Sequence, residues 1–79
     1  MGLKLWRVEY ELISDLTEKE KDFIELVLGQ PNINNNFVIT EDDLENIKEG
    51  LKNEETKEIA KTLLELYEKY GDVEINIDW

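Results

Sequence analysis

Carboxylates dominate the chemistry open to this chain. Of its 79 residues, 20 are Asp or Glu and nine are Lys or Arg, for a formal net charge of −11. Other reactive side chains are scarce. Cysteine and histidine are absent, and Ser14 is the only serine. A hydrolytic triad needs a base beside its nucleophile, so no His-based triad can be built, and nothing in the sequence supports a Ser–Lys pair at Ser14. Zinc sites of the usual kind need thiolate or imidazole ligands. Gly2, Gly29, Gly50 and Gly71 are scattered and form no phosphate-cradling loop. Paired carboxylates can do acid–base work, but so many acids produce pairs by chance. A chain this short also offers little depth for a site that shifts a pKa. The inventory points away from an enzyme and assigns no catalytic residue, no metal and no cofactor.

One stretch has spacing of its own. Asn32, Asn34 and Asn36 alternate, with Ile39, Thr40 and Asp43 following. Between two predicted helices, this stretch resembles a degenerate EF-hand loop, with the asparagines at positions one, three and five and Asp43 at position twelve. The resemblance implies a calcium or cation site over residues 32–43. The departures are specific. Phe37 stands at position six, where the turn requires glycine. The early ligands are amides rather than carboxylates, and Asp43 is shorter than the bidentate glutamate. The competing reading is an asparagine-rich turn leading into a capped helix.

The acids fall into groups. Glu9, Glu11, Glu74 and Asp78 share the outward parity of two predicted strands, one at each end of the chain. Glu41, Asp42, Asp43, Glu45 and Glu49 gather at the second helix, and Glu54, Glu55 and Glu58 follow. Carboxylates held on a rigid surface can imitate nucleic-acid phosphates and occupy a basic groove of another protein. In size and charge the chain is similar to small phage-encoded inhibitors of restriction and CRISPR systems. That resemblance implies a partner surface made of the first two acidic groups. The competing reading is a solvated surface that keeps the protein soluble. Trp79 joins the partner-binding candidates, because a terminal tryptophan can serve as an interface anchor.

The elements that must position these residues follow from periodicity and caps. Leu3–Ile13 alternates as a strand, with Trp6, Val8, Tyr10 and Leu12 on the inward face and Arg7, Glu9 and Glu11 outward. Thr17 and Glu20 form a capping box for a helix over 18–28. Gly29 and Pro31 end that helix. Phe37–Ile39 is a short extended piece, a candidate third strand. Thr40 caps a second helix carrying Leu44, Ile47 and Leu51. Asn53 caps a third over 54–70, closed by Gly71. Val73, Ile75, Ile77 and Trp79 alternate with acids as a final strand.

The order β-α-(β)-α-α-β predicts one α+β domain over 1–79, with a sheet of two or three strands packed on three helices. The first and last strands pair centrally, and Trp6 and Trp79 enter the core. The negative field disfavours direct binding of DNA or RNA and of anionic membranes. No secretory segment, myristoylation pattern or membrane span is visible, which places the protein in the cytoplasm. The reading is a small acidic module that binds a basic surface of another protein, an inhibitor by nucleic-acid mimicry. The alternatives are a cation-binding module using 32–43 and a homo-oligomeric structural protein that dimerises through a strand edge. On the turn reading, millimolar calcium leaves the amide chemical shifts of residues 32–43 unchanged, whereas saturable shifts there establish the cation site.

Overall fold

The structure, a computed structural model, describes residues 2–8 and 11–78. The chain runs through β1 (Leu3–Arg7), β2 (Glu11–Leu16), α1 (Glu18–Leu28), β3 (Phe37–Ile39), α2 (Leu44–Glu49), α3 (Lys57–Tyr70) and β4 (Val73–Asp78). Short 3-10 turns flank α2 at Glu41–Asp43 and Gly50–Lys52. The strands form one antiparallel sheet of four in the order β2-β1-β4-β3. The terminal strands pair at its centre, as their patterning predicts. Phe37–Ile39 joins as an edge strand, and the sheet is larger than the two or three strands expected.

The extra strand comes from the first predicted element. Leu3–Ile13 is not one strand. The chain reverses after Arg7 and returns as β2, antiparallel to β1. The pairing slips once: Leu5 faces Ser14 while Trp6 faces Leu12. Ile13 is thus the extra residue of a β-bulge. The bulge lets Ile13 pack against the core while its neighbour Leu12 stays 50% exposed.

The faces of β1 are also the reverse of the expectation. Leu3 and Leu5 are buried, Leu5 completely, and Trp6 is only half-buried. The reason is Lys4. It shares Trp6's parity, so turning Trp6 inward would carry a lysine to the core side, where burial of an unpaired charge is costly. Burying Leu3 and Leu5 leaves Lys4 at the surface, within 3.2 Å of Asp15. Arg7 shares the inward parity but sits at the strand's end.

The core lies between one sheet face and the three helices. Leu3, Leu5, Leu16, Phe37, Ile39, Val73 and Ile75 meet Ile24, Ile47, Ile59, Ala60, Leu63 and Leu66. Full burial of each larger aliphatic contributes about 1.5–3 kcal/mol. Among the described residues, no buried side-chain polar atom lacks a hydrogen-bond partner, and no helix is long and apolar enough to cross a membrane.

Local signals set the helix limits. The Glu20 amide donates to the Thr17 hydroxyl at 3.1 Å, and the Thr17 amide donates to the Glu20 carboxylate at 2.9 Å. Gly29 and Gly71 close α1 and α3 with φ of 76° and 74°, left-handed values that favour glycine. Asn53 does not start α3. It accepts the Glu55 amide at 2.9 Å, a local turn, and the helix begins at Lys57. Between them the buried Thr56 hydroxyl donates to the Gly50 carbonyl at 2.7 Å.

Gly50 has an ordinary φ of −65°, so its requirement is space. The Phe23 ring of α1 lies directly on it, and a Cβ would fall 2.7 Å from Phe23 Cε1. Gly50→Ala is therefore expected to destabilise the protein by about 1–3 kcal/mol through overpacking. Urea denaturation measures the loss, and Phe23→Leu in the same chain is expected to recover part of it.

Candidate docking surface

With the helices on one side, the other face of the sheet has no helical cover. β1 and β4 set its centre. Trp6 lies opposite Asn76, and Lys4 lies opposite Asp78. Glu74 and Asp78 are two residues either side of Asn76 on β4, so they flank Trp6 diagonally, within reach of a large ring. Val38 of β3, opposite Glu74, is 37% exposed on the same face. A concavity of about 600 Å³ opens here, lined by Trp6, Arg7, Val8, Asn34, Asn36, Glu74, Asn76 and Asp78.

The asparagine loop borders this concavity. Asn35 has a left-handed φ of 65°, which asparagine tolerates. The Asn32 side-chain oxygen accepts the amides of Asn34 and Asn36 at 2.9 and 3.1 Å. The side-chain amides of Asn32 and Asn36 both donate to Glu74 Oε2 at 3.2 Å. Asn76 donates to the Asn35 carbonyl at 3.1 Å and to Asn36 Oδ1 at 2.9 Å. The loop is therefore fastened to the open face of β4 by side-chain amides. The stretch resembling an EF-hand is interrupted by β3, which spans its sixth to eighth positions. Its last residue, Asp43, accepts the Thr40 amide at 2.9 Å and the Thr40 hydroxyl at 3.2 Å. Among the described residues, no group of three or more Asp and Glu is placed to hold a metal.

The other candidates are dispersed. Glu9 and Trp79 lie outside the described residues. Glu11 does not share a face with Glu74 and Asp78. It pairs with Arg7 on the helix side, 2.8 Å from the guanidinium Nε, and accepts the Tyr70 hydroxyl at 3.3 Å. The Arg7 guanidinium lies 4.3 Å from the Tyr70 ring centre. Glu41, Asp42, Glu45 and Glu49 are exposed around α2, while half-buried Asp43 serves as the cap. Lys52 meets Glu49 at 2.9 Å and so dilutes that group. In the third group, Glu55 has Lys19 at 3.9 Å. The Tyr67 hydroxyl is held above its usual range, first by burial and then by the charges of Glu41 and Asp72.

A second groove, about 630 Å³, runs between α1 and the α2–α3 connection. Phe23, Val27 and Leu26, the last 82% exposed, form its apolar part. Sequence reasoning missed Trp6 as a surface residue. The signal that could have found it is Lys4, whose shared parity argues against an inward Trp6.

Comparison with known proteins finds no match to the chain among protein-family models, curated proteins or solved structures.

The Glu11 carboxyl is held below its ordinary value, chiefly by the Arg7 hydrogen bond, with Arg7's charge, the Tyr70 hydroxyl and Lys69 assisting and partial burial opposing. A lowered folded-state pKa stabilises the fold above the unfolded value, and the contribution is lost as pH falls through the folded one. In an NMR titration Glu11 is expected to titrate below the ordinary glutamate range, and Arg7→Gln is expected to move it back up.

Proposed function

We propose that this protein is a binding module that docks through the open face of its sheet on a basic surface of another protein. The observation that supports this best is the asymmetry of the sheet. One face is filled by helices, and the other carries a concavity in which Trp6 stands between Glu74 and Asp78. An apolar ring among acids, at a net charge of −11, suits a partner that is both basic and able to cover hydrophobic area. Two copies of this chain would repel one another at that charge, so the partner is a different protein rather than a second copy.

Within that reading, the target is the nucleic-acid groove of a DNA- or RNA-handling protein. Glu74 and Asp78 stand about 13 Å apart along one strand, given the rise per residue, on a scaffold the sheet keeps rigid. Carboxylates so held present fixed negative charge to a groove built for phosphates. The module acts by occupying that groove and performs no reaction of its own. The lack of cysteine suits a reducing compartment, and the cytoplasm is where we place it.

The test compares surfaces at equal charge. Immobilised protein is expected to retain basic nucleic-acid-binding proteins from cell extract at low ionic strength. Raising salt to about 0.5 M, where the Debye length falls to a few ångströms, is expected to release them. The variant Glu74→Lys/Asp78→Lys loses the retained proteins, while Glu54→Lys/Glu58→Lys, with the same change in charge, keeps them. Retention that ignores salt, or equal loss in both variants, overturns the proposal.

A further inference from the structure

The groups around Trp6 carry a more specific assignment, which rests on the docking reading above. We infer that the Trp6 concavity is a receptor for an arginine side chain in an extended segment of the partner, its guanidinium stacked on the indole and hydrogen-bonded by Glu74.

The argument is one of donors and acceptors. Of the amide side chains that border the concavity, those of Asn32, Asn36 and Asn76 direct donors inside the protein, while the Asn34 side chain makes no hydrogen bond among the described residues. Asn32 and Asn36 donate to Glu74 Oε2, and Asn76 donates to Asn35 and Asn36. What remains on β4 is acceptor capacity. Among the described residues, no donor reaches Glu74 Oε1 or Asn76 Oδ1. A ligand that answers the Glu74 carboxylate and Asn76 Oδ1 must therefore bring donors, and beside a carboxylate a cationic donor is favoured. Guanidinium has five N–H donors and no acceptor.

Geometry makes the same choice between cations. The Asn32 and Asn36 bonds to Glu74 hold the carboxylate in place, and an immobilised carboxylate suits the planar fork of arginine. The neighbouring indole offers the aromatic face on which guanidinium stacks and ammonium stacks less well. The concavity, about 600 Å³, exceeds one guanidinium and accommodates the residues that flank it. The protein's own nearby cations, Arg7 among them at the wall of the concavity, have partners of their own. Arg7 is bound to Glu11 and lies over Tyr70 on the helix side, and Lys4 meets Asp15 on β2.

The experiment uses the full chain carrying Trp79→Phe, so that Trp6 is the only fluorophore of its kind. Hexaarginine and hexalysine are titrated at low salt. Hexaarginine is expected to give a saturable change in Trp6 emission and to bind several-fold tighter than hexalysine. Glu74→Gln keeps an acceptor for Asn32 and Asn36 while removing the charge, and is expected to weaken hexaarginine about tenfold, equivalent to about 1.4 kcal/mol. Trp6→Phe, followed by calorimetry with circular dichroism as the folding control, is expected to weaken it as well. Equal binding of the two peptides with unmoved Trp6 emission overturns the arginine receptor and leaves the acidic docking surface standing. Undiminished hexaarginine binding by Trp6→Phe and Glu74→Gln does the same. Failure of both peptides to bind overturns the receptor and the docking surface together.

Discussion

Alternation along the central strand pair governs this molecule. Leu5 of β1 and Ile75 of β4 are completely buried against the helices, and in a strand each neighbour must then face the other way. Trp6, Glu74, Asn76 and Asp78 are placed by that rule. The same step that completes the hydrophobic core sets an indole among acids on the open face. Slipping either strand by one residue would bring Lys4, Glu74 and Asp78 toward the core, so the register is strongly held. The open face inherits its rigidity from the burial of the opposite one.

The connection before β3 adds polar order to that face. A run of asparagines between α1 and an edge strand has many conformations open to it. Here Asn32 gathers two backbone amides and, with Asn36, turns toward Glu74. The result ties a surface loop to the centre of the sheet through side-chain amides. Each such bond contributes modestly, about 0.5–1.5 kcal/mol, but together they hold the acidic side chain on which the proposed recognition depends. The charge of the chain is thus locally organised rather than uniform. Glu11, Asp15, Glu25, Glu49 and Glu55 have cationic neighbours within 4.0 Å, and Glu74 has amides instead.

Much of the architecture was legible beforehand. The Thr17–Glu20 box, Gly29 and Gly71 marked helix ends because caps are local chemistry, satisfied within a few residues. β4 was legible because every apolar residue in it shares one parity. The first strand was misread because Leu3 and Leu5 compete with Trp6 and Val8 at opposite parities, and hydrophobicity alone does not rank them. The bulge at Ile13 then shifts the phase of β2, which no fixed period captures. Of the acidic surface, Glu74 and Asp78 stand together as read, while Glu11 is parted from them by the hairpin.

By itself, then, the sequence determined the α+β class, the three helices, the helix limits marked by the Thr17–Glu20 box, Gly29 and Gly71, the central pairing of the terminal strands, and a strongly negative net charge. These depend on local hydrogen-bonding chemistry, periodicity and composition, all of which are written residue by residue. Tertiary structure alone decided the reversal between β1 and β2, the outward turn of Trp6 and the fastening of the asparagine loop to Glu74. Each of these joins residues distant in the chain or chooses between two equally apolar faces, and that choice is made only when the whole core is packed and Lys4 must stay in water.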